Sequence, residues 1–189
     1  MVKNKIRKSL FEQGQSLSNN YKAKSDLVIQ STALKKINFE ATSNILLYFP
    51  FRNEVASSMI VESLKTTSKN IYVPKIIDKQ TMKFNLLSES STMIRNCFGI
   101  QEIKNDKYIS PSDFQVMFIP LVGVDLNGCR LGYGSGYFDR TLQFSKELEH
   151  RPLLVGLAYD YQICDEGFGE QHDLKYDIVI SEKRFLKFS

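Results

Sequence analysis

Glycine recurs at positions 128, 132, 134 and 136, four of the ten in the chain within nine residues. A backbone without Cβ atoms reaches positive φ and lets main-chain N–H groups approach an oxyanion closely. Where such a loop opens onto a helix, the positive end of the dipole adds to those donors, so the spacing predicts a phosphate-binding turn. Arg130 and Arg140 flank it, and a guanidinium engages phosphate oxygens in a fork. Asp139 lies beside them, where a carboxylate can hold Mg2+ against phosphates. The segment is no Walker A loop, because Gly-Lys-Ser/Thr is missing, and no full GxGxxG fingerprint with its ribose-binding acid. A plain Gly-rich turn before an amphipathic helix is the competing interpretation.

Other reactive residue types carry less. Cys97, Cys129 and Cys164 are far apart and odd in number; with no CxxC pair they support neither a zinc site nor a disulfide framework. His150, between Glu149 and Arg151 at an expected helix end, reads as surface, and neither it nor His172 is assigned catalysis. Lys3, Lys5, Arg7, Lys8, Lys22, Lys24, Lys35 and Lys36 make the first 36 residues basic. A solvated helix surface explains most of that run, although Lys3 and Arg7 share one helix face by their spacing.

The elements that must position these residues follow from periodicity. Helices are expected over residues 3–17, with Ile6, Leu10 and Leu17 as the apolar stripe, and over 25–38, with Ser18-Asn19-Asn20 as a break between them. Further helices are expected over 54–68 and from about Gly136. Short continuous apolar runs at Asn44–Phe49, Ile71–Pro74, Val116–Pro120, Leu153–Ala158 and Ile178–Ile180 read as strands buried on both faces. Residues 75–90 alternate weakly and suggest a hairpin at the sheet edge. The expectation is a single α/β domain over residues 1–189: three layers, Rossmann-like, with a mostly parallel sheet and helices on both faces. That layout resembles the sugar-phosphate isomerase and CoA-transferase architecture. It sets the glycine segment after the Val116–Pro120 strand, where ligands bind in open α/β sheets.

Composition agrees. Hydrophobic residues at 42% and charged residues at 24% are the balance of a globular chain, long enough to bury roughly two-thirds of its unfolded surface. The net charge of +4 favours an anionic small molecule, whereas a nucleic-acid binder concentrates its basic residues more sharply. No apolar run near 18 residues and no secretory pattern is seen, so a cytoplasmic protein with no membrane or nucleic-acid partner is expected. A monomer is expected.

The stretch Asp125-Leu-Asn-Gly128-Cys-Arg130-Leu-Gly132-Tyr-Gly134-Ser-Gly136-Tyr137-Phe138-Asp139-Arg140 resembles the signature of the 5-formyltetrahydrofolate cyclo-ligase family, D-x-x-G-x-R-L-G-x-G-x-G-Y-Y-D-R. The likeness continues in Lys3-x-x-x-Arg7, Tyr48-Phe-Pro-Phe-Arg-Asn-Glu54-Val, Phe98-Gly-Ile-Gln-Glu102, Pro152-Leu-Leu-Val-Gly156-Leu-Ala-Tyr-Asp-Tyr-Gln162 and His172-Asp173. There are departures. Phe138 stands where many members have a second Tyr, Ser135 replaces Gly or Lys, Ala56-Ser57 replaces an acid-Thr pair, and Gly167-Phe168-Gly169 replaces Leu-Pro.

The resemblance implies ATP-dependent cyclisation of 5-formyltetrahydrofolate to 5,10-methenyltetrahydrofolate, with ADP and phosphate released through a phosphorylated formyl intermediate. It implies ATP as co-substrate, Mg2+ as cofactor, and reduced folate as the other small-molecule partner. An ATP site of Lys3, Arg7, Arg130, Leu131, Gly132, Tyr133, Gly134, Ser135, Gly136, Tyr137 and Phe138 follows, with Arg130 and Tyr137 as catalytic residues. The folate would meet Arg7, Phe49, Glu54, Phe98, Tyr133, Gly134, Ser135, Gly136 and Tyr137, and the metal Asp139 and Asp173. Rival expectations are an ATP-independent α/β enzyme of related architecture and a nucleotide- or RNA-binding module.

Overall fold

The computed structural model describes residues 2–143 and 151–188. Five parallel strands form its centre, in spatial order Ile178–Ile180 (β12), Leu153–Leu157 (β10), Val116–Phe118 (β7), Asn44–Leu46 (β1) and Asn70–Ile76 (β2). Antiparallel strands finish both edges: Phe185–Lys187 (β13) beside β12, then Met82–Leu87 (β3) and Tyr108–Ile109 (β6) beyond β2. The mostly parallel sheet read from the sequence is thus what the chain forms, and residues 75–90 do close an edge hairpin.

The pleat sends alternate residues to opposite faces. Ile45, Leu47, Val116, Phe118, Val155, Leu157, Ile178 and Ile180 face one side; Leu46, Met117, Ile119, Leu154 and Val179 face the other. Since both sides are covered, the strands read as unbroken apolar runs. The first side is roofed by α2 (Asn19–Lys36) through Ile29 and Ala33, and by α3 (Ser58–Lys65) through Ile60, Val61 and Leu64. The second is covered by Phe138 of α4 (Tyr137–Thr141) and by Leu142, with Phe84 and Phe114 beneath. Helix α1 (Val2–Ser16) sets Leu10 against Val122, Leu131 and Phe168. There it touches a small sheet of Ile163–Cys164 (β11), Gly123–Asp125 (β8) and Arg130–Leu131 (β9). Among the described residues no helix is long and apolar enough to cross a membrane.

Two boundaries differ from expectation, each through a side chain bonding to backbone, and the glycine segment differs in the strand pair that leads into it. The chain does break at Leu17-Ser18, but the Ser18 hydroxyl accepts the Tyr21 N–H at 3.2 Å and caps α2, which therefore starts at Asn19 instead of 25. The helix expected over 54–68 is only Ser58–Lys65. Glu54 bonds back to the Phe51 N–H, and the Thr66 and Thr67 hydroxyls take the carbonyls of Ser63 and Leu64. The glycine segment opens as the antiparallel pair β8–β9 and ends on a helix of five residues. So short a helix sums only a small dipole, which leaves the loop's own amides as its main anion donors. His150 lies outside the described residues.

Candidate active site

The loop is anchored by an acid. Asp125, fully buried, accepts the N–H groups of Asn127 and Cys129 at 2.9 Å through one oxygen, and those of Phe168 and Gly169 at 3.0 Å through the other. One carboxylate thus closes the turn before β9 and docks the Gly167-Phe168-Gly169 loop against it, and Phe168 fills the space beside Leu10. Replacing Asp125 by Ala strands four donors. The expected loss is at least about 3 kcal/mol, a fall in Tm on the order of 10 °C for a chain of this length. Thermal unfolding checks it; a fall under about 3 °C would count against this role.

Arg130 follows on β9 and is 7% exposed. Its Nε donates to the Pro120 carbonyl at 2.8 Å and Nη1 to Asp139 at 3.2 Å, and its guanidinium lies 5.2 Å from the centre of the Phe138 ring. Gly132 turns directly over that cation: a Cβ there would sit 2.6 Å from Nη1 and 2.7 Å from Nη2. The other face of the loop is held by α1, where Arg7 Nε donates to the Gly132 carbonyl at 2.8 Å. Gly136, at φ 67°, takes the left-handed conformation that starts α4. Arg140 donates to the Ser135 carbonyl at 2.9 Å and packs on the Tyr137 ring. The Tyr137 hydroxyl donates to the Asp78 carbonyl at 3.1 Å, joining the loop to the β2–β3 turn.

Gly132, Tyr133 and Ser135 through Phe138 form one wall of a cleft of about 420 Å3. Its floor and opposite wall come from the β1–α3 connection, with Phe49, Phe51, Arg52 and Glu54, and from the β2 residues Pro74 and Ile76. A hairpin of Met93–Arg95 (β4) and Gln101–Ile103 (β5) brings Phe98, half exposed, to the rim. Buried Glu102 fastens this hairpin: its Oε1 accepts the Ile76 N–H at 2.9 Å and the Asn96 amide at 2.7 Å.

Glu54 is one of two cleft-lining acids, the other being Glu102. Glu54 Oε2 accepts the Phe51 N–H at 2.8 Å. Burial pushes its carboxyl up to about 8, against the pull of that N–H and of the Arg130 charge. Tyr133 donates to the Phe51 carbonyl at 3.0 Å and packs edge-on against Phe11 and Phe51. Burial and the nearby Glu54 push its phenol up.

A second charged cluster sits beyond the loop. Lys3 Nζ contacts both oxygens of Asp173, at 2.7 and 3.0 Å, and Glu170 at 3.2 Å. Burial works against the Lys3 charge, but the hydrogen bonds it donates to Asp173 and Glu170 outweigh it and raise its pKa. Burial likewise opposes the Asp173 carboxylate, and Lys3 reverses the balance and lowers its pKa. Ligand atoms of Glu170, His172 and Asp173 lie within 4.8 Å of one another. Leu174, next in sequence, donates its N–H to Asp139 at 3.4 Å. The oxygen donors of Asp139 and Asp173 are the type a hard cation takes, each balanced here by a protein cation, Arg130 or Lys3.

The sequence matches the 5-formyltetrahydrofolate cyclo-ligase family over residues 1–182. The chain belongs to that family. It is an enzyme of this ligase class. It is 35% identical over 153 residues to the 5-formyltetrahydrofolate cyclo-ligase of Haemophilus influenzae, covering 78% of this chain and 81% of that one. Over 180 residues it is 29% identical to the one from Mycoplasma genitalium, covering 94% and 96%. In structure it is similar to a 5,10-methenyltetrahydrofolate synthetase from Mycoplasma pneumoniae, with TM-score 0.77 and 26% identity over 96% of this chain and 99% of that one. The Aquifex aeolicus synthetase gives TM-score 0.85 and 25% identity, over 99% and 93%.

In this cyclo-ligase family member the cleft gathers Phe49, Glu54, Phe98, Arg130, Gly132, Tyr133, Ser135, Gly136, Tyr137 and Phe138, and Arg7 stands behind the loop beside Gly134. Lys3, Arg7, Leu131, Gly134, Asp139 and Asp173 are not among the cleft-lining residues. Leu131 turns away into the apolar cluster with Leu10, its carbonyl accepting the Val122 N–H, because β9 alternates sides. Arg130 lines the cleft with its Nε held by the Pro120 carbonyl and its Nη1 by Asp139. Lys3 is paired with acids. Asp125 and Glu102 had no assigned role; an Asp two residues before Asn-Gly is an Asx-turn signal that marks the first.

Proposed function

We propose that the chain catalyses ATP-dependent cyclisation of 5-formyltetrahydrofolate to 5,10-methenyltetrahydrofolate, releasing ADP and phosphate. Family membership supports the reaction class. The observation that carries the reading is that the glycine loop and the buried Glu54 carboxyl line one cleft. An anion-binding backbone thereby faces a group that recognises a heterocycle's N–H donors.

A formamide carbon is poorly electrophilic, because nitrogen donates into its carbonyl, and its oxygen leaves poorly. Transfer of the γ-phosphoryl group to that oxygen gives an imidate phosphate. The N10 amine then attacks the carbon, and the C–O bond breaks as phosphate departs. Such chemistry depends on positioning and charge neutralisation, with no protein nucleophile. The amides of residues 132–136 bind phosphate oxygens, Arg7 and Lys3 add charge from α1, and the buried Arg130 cation supports the loop from beneath. Glu54 accepts from the pterin, and Phe49, Phe98 and Tyr137 pack on its flat rings. Asp139 and Asp173 would hold Mg2+, exchanging their present partners Arg130 and Lys3 for the ion, which would neutralise phosphate charge. The rival α/β reading needs no nucleotide, so the near-ultraviolet absorbance of the methenyl product separates the two. Product should form only with Mg-ATP, and EDTA should abolish it until Mg2+ is restored; equal rates without ATP would overturn the reading.

A further inference from the structure

Arg52 is placed against its backbone preference and left without an acid. The Glu54 N–H closes a turn on the Phe51 carbonyl at 3.2 Å, with Arg52 as the first central residue. Its φ is 54°, and among the described residues it is the non-glycine residue with positive φ. Turns of that kind are dominated by Gly, Asn and Asp at this position, because the Cβ of any larger residue crowds the following carbonyl. Residues held so cluster where ligands are gripped. The guanidinium lies 4.8 Å from the centre of the Phe51 ring and 5.3 Å from that of Phe11, two supports from different elements that fix its plane. Among the described residues it makes no hydrogen bond or ion pair. It is exposed and lines the same cleft as Glu54. Beside it Lys22 donates to Asn53 at 3.1 Å, a second positive charge at this turn.

We propose that Arg52 is a specificity-determining residue, a carboxylate receptor at the cleft mouth that pairs with the glutamate end of the reduced folate. The proposal rests on the reading of the cleft given above. A folate carries ring N–H donors at one end and two carboxylates at the other, with an aromatic amide between. Glu54 inside, Phe51 beyond it and a cation on the rim present the complementary sequence of groups. Phosphate oxygens are the other anion the proposed reaction brings, but the amides of the glycine loop, with Arg7 behind them, are their donors.

The test compares wild type with Arg52→Gly and Arg52→Lys. Glycine suits the positive φ, so the variant keeps the fold, which its Tm verifies. Each protein is assayed with 5-formyltetrahydrofolate, with the same folate converted to its diamide at both glutamate carboxylates, and with ATP varied. Arg52→Gly should raise KM for the natural folate about two- to fivefold, the upper range of an exposed charge pair. Its KM for the diamide and for ATP should equal those of wild type, and Arg52→Lys should fall between. An equal loss on the diamide, a rise confined to the KM for ATP, or no change would overturn the proposal. A wild-type protein that converts neither folate removes the cyclisation reading as well, whereas wild-type turnover without a carboxylate-dependent difference removes only the role of Arg52.

Discussion

Arg130→Ala should lower turnover with ATP by roughly 10²–10³-fold, the usual effect of losing a preorganised charge at a site of developing negative charge. The guanidinium sits below the loop, between the Pro120 carbonyl, Asp139 and the Phe138 ring. Its removal withdraws positive charge from beneath the phosphates and opens a hollow under Gly132. It also strands a quarter-exposed Asp139 carboxylate, so stability should fall by about 2 kcal/mol, less than for a fully buried pair. Arg130→Lys keeps the charge without the planar fork and should recover only part of the rate. Steady-state kinetics with ATP varied, alongside Tm, separate the two effects. An unchanged rate with a lowered Tm would make Arg130 a purely structural residue.

The second large effect concerns pH. With its carboxyl near 8, Glu54 is mostly protonated in the empty cleft at neutral pH. A pterin that offers N–H donors prefers the carboxylate, so binding must expel a proton. Folate affinity should therefore rise with pH, up to about tenfold per unit below 8, and level off above it. Calorimetry in two buffers of different ionisation heat should register the released proton at pH 7. Glu54→Gln should flatten the profile, and Glu54→Ala should raise the folate KM on the order of 10²-fold, about 1–3 kcal/mol for each unpaired donor, with KM for ATP unaffected. An unchanged folate KM would end this assignment. The sign for the empty protein is opposite. A carboxyl raised from 4.5 to about 8 contributes stability that is whole below pH 4.5 and is lost as pH rises through 8. Tm should therefore decline across that window in wild type and less so in Glu54→Gln.

Much of the fold was legible because the parallel strands are covered on both sides, which leaves runs such as Ile45–Leu47 and Val116–Ile119 apolar without interruption. The loop was legible because glycine is scarce elsewhere. What escaped were partnerships of polar side chains with backbone, some local and some distant. Ser18 looked like a break alone although its hydroxyl also caps α2, and Glu54 looked like a first-turn acid although it folds back on Phe51. Nothing local to Asp125 tells that Phe168 and Gly169, 43 and 44 residues away, supply half of its donors. The departure at Gly167-Phe168-Gly169 is explained by that docking. The left-handed turn at Arg52 was equally hidden, since arginine is a residue type that gives no warning of positive φ.

The guanidinium beneath Gly132 also ties two positions together in descent. A side chain acquired at 132 would collide with the cation from 130, so position 132 cannot drift while arginine stays at 130. Lineages that keep arginine at the first must keep a bare methylene at the second, and a relative that has lost both would have had to find another way to brace its loop.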